Sequence, residues 1–170
     1  MVAPFMLATG LLRERMRSRI SLSVFHDSIP VRTRGCLQFV DLTERIAERV
    51  RASGIWNGTV NVQTRHTTTA IVVNENEPLL LDDMRRALES LAPRNTIYEH
   101  DDMSRRAGPL PPDEPLNGHS HCKALFLRTS ETLNIVEGRL DLGQWQSVFL
   151  LELCSPRDRS VSLMMMGEEG

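Results

Sequence analysis

Several features that mark whole classes of protein are scarce in this sequence. None of its 170 residues belongs to an apolar run of 18, so no helical membrane span is predicted. Three cysteines without CxxC spacing (Cys36, Cys122 and Cys154) favour neither a disulfide framework nor a thiolate zinc site, and they suit the reducing cytoplasm. Aromatic residues make up 5% and the net charge is −2, a composition that argues against a nucleic-acid-binding surface.

Familiar phosphate-binding and nucleophile motifs are also missing. The chain has no GxxxxGK[ST] loop, no GxGxxG fingerprint and no GxSxG elbow, so the common forms of ATP, NAD and serine-hydrolase chemistry are unsupported. Lysine is nearly absent, because Lys123 is the only one among 20 basic residues. The cationic groups are therefore arginines, which bind phosphate through two parallel hydrogen bonds. Arg139 and Arg157, together with Arg159, are candidates for such a clamp.

Length and hydrophobic patterning predict one α+β domain at residues 18–167, preceded by a flexible extension at 1–17. Alternating apolar residues indicate strands, and apolar residues at helical spacing indicate helices. The expected architecture is a mostly antiparallel β-sheet or sandwich with two to three helices. The predicted strands are 20–24, 36–40, 60–64, 68–74, 132–137, 144–153 and 160–165, and the predicted helices are 43–53, 78–92 and 118–128.

Local signals set several boundaries. Asp41 is expected to cap the first helix, with Glu44 as its capping-box partner, and Gly54 to end it. Residues 93–117 contain five prolines, and a loop of that length in a small domain is usually functional or disordered. The apolar face of the last strand belongs either to the core or to an interface between subunits.

Four of the five histidines lie near other groups that can bind a metal. His66 stands between two predicted strands, His100 precedes two aspartates, and His119 and His121 form an HSH triplet at a predicted helix start. Imidazole and carboxylate ligands that converge in space bind zinc or similar divalent ions. The alternative for each histidine is a hydrogen bond to a backbone carbonyl or to solvent. His26 has no such neighbours.

Two further groups could take part in chemistry. Glu75 lies between Asn74 and Asn76 at a strand end, where it is a candidate general base, or else part of a polar turn. Lys123 could bind phosphate, or else be an ordinary exposed helix lysine.

Six short motifs occur together in one order: HTTTAIVVNENEP, DDM, YEHDD, NGHSH, EGRLDLGQWQ and ELxxPRxR, with x marking unmatched positions. In this order they resemble the YjbQ-like family, whose members are often described as secondary thiamine-phosphate synthases. The resemblance extends from about Leu22 to Leu163. It implies a YjbQ-like α+β fold that assembles as a homotrimer.

The same resemblance implies a set of site residues. A divalent metal would be held by His66, His100, His119 and His121. Zinc is the expected ion, with magnesium or manganese as alternatives. Glu75, His66 and Asn74 would be catalytic. Arg139, Arg157, Lys123 and Gln146 would bind the substrate, a small phosphorylated metabolite.

The implied activity is that of a transferase joining a pyrimidine pyrophosphate to a thiazole phosphate. Two alternatives stay open at this point. One is a metal-dependent hydrolase of a small phosphorylated substrate, with Glu75 as the base. The other is a trimeric metal- or ligand-binding protein without enzymatic activity.

Overall fold

The computed structural model describes residues 21–111 and 114–170, so the extension expected at 1–17 lies outside the described residues. Three α-helices and eight strands follow one another along this part of the chain. They are β1 (Ser23–Arg32), β2 (Gln38–Asp41), α1 (Thr43–Ser53), β3 (Ile55–Thr64), β4 (Thr69–Asn74), α2 (Pro78–Leu91), α3 (Gly118–Ala124), β5 (Ser130–Val136), β6 (Arg139–Leu140), β7 (Ser147–Glu152) and β8 (Asp158–Glu169). A short 3₁₀ helix, Glu99–Asp101, lies between α2 and α3.

The strands form two antiparallel sheets, which confirms the predicted fold class. The larger sheet has the order β1-β8-β3-β5-β6 and the smaller has the order β2-β7-β4. No helix within the described ranges is long and apolar enough to cross a membrane.

The main core fills the space between the two sheets and one face of α1. Alternation along β8 sends Val161, Leu163 and Met165 into this core, where each is at most 2% exposed. The face of the last strand is thus core rather than free surface within one chain. Helix α1 contributes Ile46 and Val50 because apolar residues spaced four apart share one face.

The outer face of the smaller sheet carries a second, smaller core. Ala70 and Leu151 from the sheet pack there with Leu88 of α2 and Ala124 of α3. The two sheets and the pair of helices α2 and α3 therefore form three layers, and the short α3 is held against the end of the smaller sheet.

Helix ends follow mostly local chemistry. Glu77 accepts hydrogen bonds from the backbone N–H groups of Leu79 and Leu80, and Pro78 occupies the first turn of α2, as proline there should. The cap of α1 is shifted from the prediction: Leu42 is the N-cap, while the Asp41 carboxylate accepts the Thr43 N–H at 2.8 Å. Helix α3 ends at Ala124, four residues before the predicted end.

The two sheets are joined where the chain crosses between them. β1 pairs with β8 up to Arg32 and Asp158, and β2 pairs with β7 from Gln38 and Glu152. Between these ladders the Thr33 N–H donates to the Arg157 carbonyl at 2.9 Å. Both segments, 33–37 and 153–157, thus leave one sheet and enter the other side by side.

A buried ion pair occupies this crossing. The Arg159 guanidinium donates twice to the Glu152 carboxylate, each time at 2.7 Å, and the two side chains are 5% and 0% exposed. Arg159 also donates to the Thr68 hydroxyl, while Glu152 accepts from Thr33 and from the Cys154 N–H. The pair therefore connects β7, β8, the end of β1 and the β3–β4 turn.

We expect Glu152→Ala to destabilise the fold by about 3–5 kcal/mol, because it leaves the Arg159 charge buried without its partner. The matched control is Asp158→Ala, which breaks an ion pair with Arg32 whose side chains are 81% and 69% exposed and should cost about 1 kcal/mol or less. Urea unfolding monitored by circular dichroism measures both. Equal effects of the two substitutions would contradict a structural role for the buried pair.

Candidate functional site

A polar cavity of about 420 Å³ opens where four connecting segments meet. Its walls come from the β3–β4 turn, the 3₁₀ helix with the loop that follows it, the start of α3 and the β7–β8 loop. The volume falls within the range of about 300–1,000 Å³ that is usual for small-molecule sites. The lining residues are Arg65, His66, Thr67, Thr68, His100, Arg106, Glu114, Asn117, His121, Arg157 and Arg159.

His100 and His121 face each other across this cavity. Their ring centroids are 4.7 Å apart, one ring presenting its edge to the other. The buried Nε2 of His100 has no hydrogen-bond partner among the described residues. Burial, then the neighbouring His100, lowers the pKa of His121, which favours the neutral ring with a free nitrogen lone pair. The two side chains are therefore available as ligands.

His66 is engaged differently. Its Nε2 accepts a hydrogen bond from the Ser160 N–H at 3.1 Å, which fixes the β3–β4 turn against the start of β8. In a neutral ring with Nε2 as acceptor, Nδ1 carries the proton. Burial, then the Arg159 charge, lowers the pKa of His66 and favours this neutral form. In this arrangement neither nitrogen offers a lone pair to a metal.

His119 points away from the cavity into the protein. It is 4% exposed, and its Nδ1 lies 3.4 Å from the Lys123 ammonium and 3.2 Å from the Ser120 hydroxyl. Burial, then Lys123, lowers the pKa of His119. The four histidines predicted as one ligand set are thus divided among three environments. Across residues 21–111 and 114–170, no three His, Cys, Asp or Glu residues converge as a metal site.

Lys123 is wholly buried. From the sequence, we expected it either to bind phosphate or to be an exposed helix lysine. Its ammonium donates to the Ala92 carbonyl at 2.5 Å and lies 3.2 Å from the Glu89 carboxylate. These contacts bind α3 to the end of α2. Lys123 therefore orients the helix that carries His121, and it does not line the cavity.

Arginine dominates the charge of the cavity. Arg106 lies 3.5 Å from Glu114, and Arg159 is paired with Glu152. Arg65 and Arg157 form no ion pair within the described part of the chain. Arg157 was a sequence candidate, whereas Arg139 lies exposed on the short β6 and not in the cavity. Arg65, Arg106 and Glu114 were missed, since nothing in their local sequence separates them from ordinary surface residues. Asn117 lies in the NGHSH motif but was not assigned to the site.

The remaining sequence candidates lie at the other end of β4. Glu75 and Gln146 are separated from the cavity by the length of that strand, roughly 20 Å at about 3.3 Å per residue. Glu75 lines a separate groove of about 310 Å³ with Glu77 and Trp145. Asn74 accepts the Glu75 N–H at 2.8 Å, and Gln146 accepts the Gly143 N–H at 2.8 Å. Within one chain these residues cannot act on a molecule held by His100 and His121.

Gly118 allows the segment that carries His100 to pack closely against the start of α3, which carries His121. A Cβ at this position would lie 2.4 Å from the Cβ of Tyr98, at the start of the segment that carries His100. The Gly118 N–H donates to the Asp101 carboxylate at 2.8 Å and fixes the same contact. The absence of a side chain at residue 118 is thus a condition for the pairing of His100 with His121.

Comparison with known proteins decides the family. The model of the family described as UPF0047 protein YjbQ-like matches residues 27–168. The chain belongs to the YjbQ-like UPF0047 family. A UPF0047 protein of Methanothermobacter thermautotrophicus is 34% identical over 153 residues, covering 90% of this chain and 99% of that protein.

Solved structures show the same relationship. A Sulfolobus solfataricus protein described as YbjQ-like and of unknown function aligns with a TM-score of 0.78 and 31% identity, covering 87% of this chain and 100% of that one. A hypothetical protein of Aeropyrum pernix aligns with a TM-score of 0.74 and 31% identity, covering 85% and 99%. These descriptions name no activity.

We expect Gly118→Ala to disrupt the cavity, because the new methyl group would push Tyr98 and the following His100 away from α3. Overpacking of this kind should lower the free energy of unfolding by about 1–3 kcal/mol, measured by urea unfolding. Gly35→Ala is the control, since a Cβ there meets nothing within 4 Å. An unchanged free energy of unfolding for the Gly118 variant would contradict this role.

Proposed function

We propose that this protein binds a small phosphorylated metabolite in the arginine-lined cavity and acts on its phosphate-bearing group. The observation that carries the proposal is the charge of the walls. Four arginines and one glutamate line the cavity; Arg106 and Arg159 pair with Glu114 and Glu152, and among residues 21–111 and 114–170 Arg65 and Arg157 have no ion-pair partner. Two guanidinium groups facing one cavity match the charge and geometry of a phosphate or pyrophosphate.

The second part of the proposal is that His100 and His121 hold a divalent metal, with zinc as the preferred ion. The unpartnered Nε2 of His100 and the neighbouring ring of His121 supply two imidazole ligands instead of the four expected. A divalent ion bound there would act as a Lewis acid toward phosphate oxygens. With only two protein ligands, the other coordination positions remain for the substrate and water.

The chain's own residues define what the site can do. Arg65 and Arg157 would hold the anionic group and stabilise the charge that develops on a departing phosphate or pyrophosphate. His66, with its proton on Nδ1, can donate a hydrogen bond without carrying a charge. The buried Arg159 lines the same cavity, and hydrogen bonds to Glu152 and Thr68 hold it in place.

Within this proposal, thiamine-phosphate synthase activity is the specific form that the family resemblance suggests. Joining a pyrimidine pyrophosphate to a thiazole phosphate releases pyrophosphate, and the two unpaired arginines suit that leaving group. The hydrolase alternative would need its expected base, Glu75, from another copy of the chain, because Glu75 lies at the far end of β4 from the cavity. The three cysteines are free thiols, which supports the cytoplasm as the compartment.

The homotrimer remains part of the proposal as well. Glu75 and Gln146 can contribute to a cavity only if they come from another copy of the chain. The acidic groove with Glu75 and Glu77 has the charge opposite to that of the arginine-lined cavity. This complementarity supports assembly of identical chains in a closed ring.

The metal is tested with His121→Ala and His26→Ala. His26 is exposed on β1 and bonds to Ser162, so its loss should leave the metal content unchanged. Purified protein reconstituted with zinc should contain about one ion per chain, falling at least about tenfold for His121→Ala. Mass spectrometry of the metal content measures this. Equal zinc content in the two variants, or no zinc in the wild type, would exclude the histidine pair as the site.

The phosphate function is tested with Arg157→Gln. Removing one of the two unpaired guanidinium groups should weaken pyrophosphate binding by about ten- to a hundredfold, since a charge-assisted bidentate contact is lost. Arg51→Gln is the control, because Arg51 lies on α1 and pairs with Glu44 at an exposed site. Pyrophosphate release from a pyrimidine pyrophosphate with a thiazole phosphate should fall in parallel. Binding without any turnover would favour the non-enzymatic alternative.

A further inference from the structure

Asn117 is a buried polar residue whose amide oxygen has no hydrogen-bond partner in the described part of the chain. The residue is 5% exposed and lines the cavity, and its Oδ1 lacks a hydrogen bond among the described residues. Buried side-chain oxygens are almost always paired, so an unpaired one in a cavity wall needs a specific explanation.

The usual structural explanation for asparagine at this position does not apply. Asn117 is the N-cap of α3, where an asparagine side chain normally accepts a backbone N–H of the first turn. Here it makes no such bond. The Gly118 N–H is taken by Asp101 instead, and the N–H groups of Ser120 and His121 bond to the Asn117 backbone carbonyl. The side chain is therefore free of helix capping.

We propose that Asn117 determines specificity by accepting a hydrogen bond from a neutral donor on the bound molecule. This inference rests on the proposed function, because it assigns the phosphate end of the ligand to Arg65 and Arg157 and the donor end to Asn117. The ligand class is a small phosphate ester that also carries a hydroxyl or an aromatic amino group. An alkylammonium group is disfavoured, because the cavity walls carry four arginines and one glutamate.

A specificity role of Asn117 is distinguished from a structural role by the ratio of the affinities for two ligands, rather than by the affinity for either one. Glycerol 3-phosphate and propyl phosphate share a three-carbon chain and a phosphate, but only the first carries hydroxyl donors. A ligand without a donor leaves the amide oxygen buried and unpaired, which is costly. A merely structural asparagine would affect the two ligands equally.

Isothermal titration calorimetry with these two probes tests the proposal. The wild type should bind glycerol 3-phosphate about tenfold more tightly than propyl phosphate. Asn117→Leu, which keeps the side-chain size and removes the acceptor, should bring the two affinities within about twofold of each other. Asn117→Asp is the matched control: it keeps an acceptor, so the preference should persist while its negative charge weakens binding of both phosphates.

Three results would overturn the proposal. The first is equal affinity of the two probes in the wild type, or a preference that survives in Asn117→Leu. The second is a fall in zinc content of the Asn117→Leu variant, which would make Asn117 a metal ligand. The third is that neither probe binds, which also refutes the proposed function. The first two results leave the proposed function standing.

Discussion

The bidentate ion pair between Glu152 and Arg159 is the interaction on which the site depends. It lies where the chain passes from one sheet to the other, and it fixes the β3–β4 turn through Thr68 and the end of β1 through Thr33. A buried pair of this kind is tolerated only when its hydrogen-bonding capacity is used, as it is here. Because the pair lies at the cavity, the same contact stabilises the fold and positions the residues of the site.

The division of the histidines follows from that arrangement. His66 fixes the turn to the backbone of Ser160, and His119 packs with Lys123 inside the protein, so both have structural partners. His100 and His121 line the cavity, and no described residue forms a side-chain hydrogen bond with either ring. The difference between structural and functional histidines is therefore visible in their hydrogen bonds, although all four occur in family motifs.

The sequence predicted most of the fold, because alternation and capping are local properties. The end of α1 at Gly54 and the start of α2 at Pro78 agree with the structure, whereas the sequence left the apolar face of β8 open between core and interface. The site was less predictable, since its residues converge from four separate segments. Lys123 is an instructive case: its helix position predicted exposure or phosphate binding, yet Ala92 and Glu89, more than 30 residues away, bury it. Asn117 is a second case: it occupies the N-cap position of α3, but only the structure shows that its side chain does not cap the helix.

The most direct test of the proposed site is a crystal structure of the protein grown with propyl phosphate and zinc. The account predicts the phosphate within hydrogen-bond distance of the Arg65 and Arg157 guanidinium groups, with zinc at His100 and His121. A phosphate bound instead at the groove of Glu75 and Trp145, or zinc coordinated by His119, would contradict it.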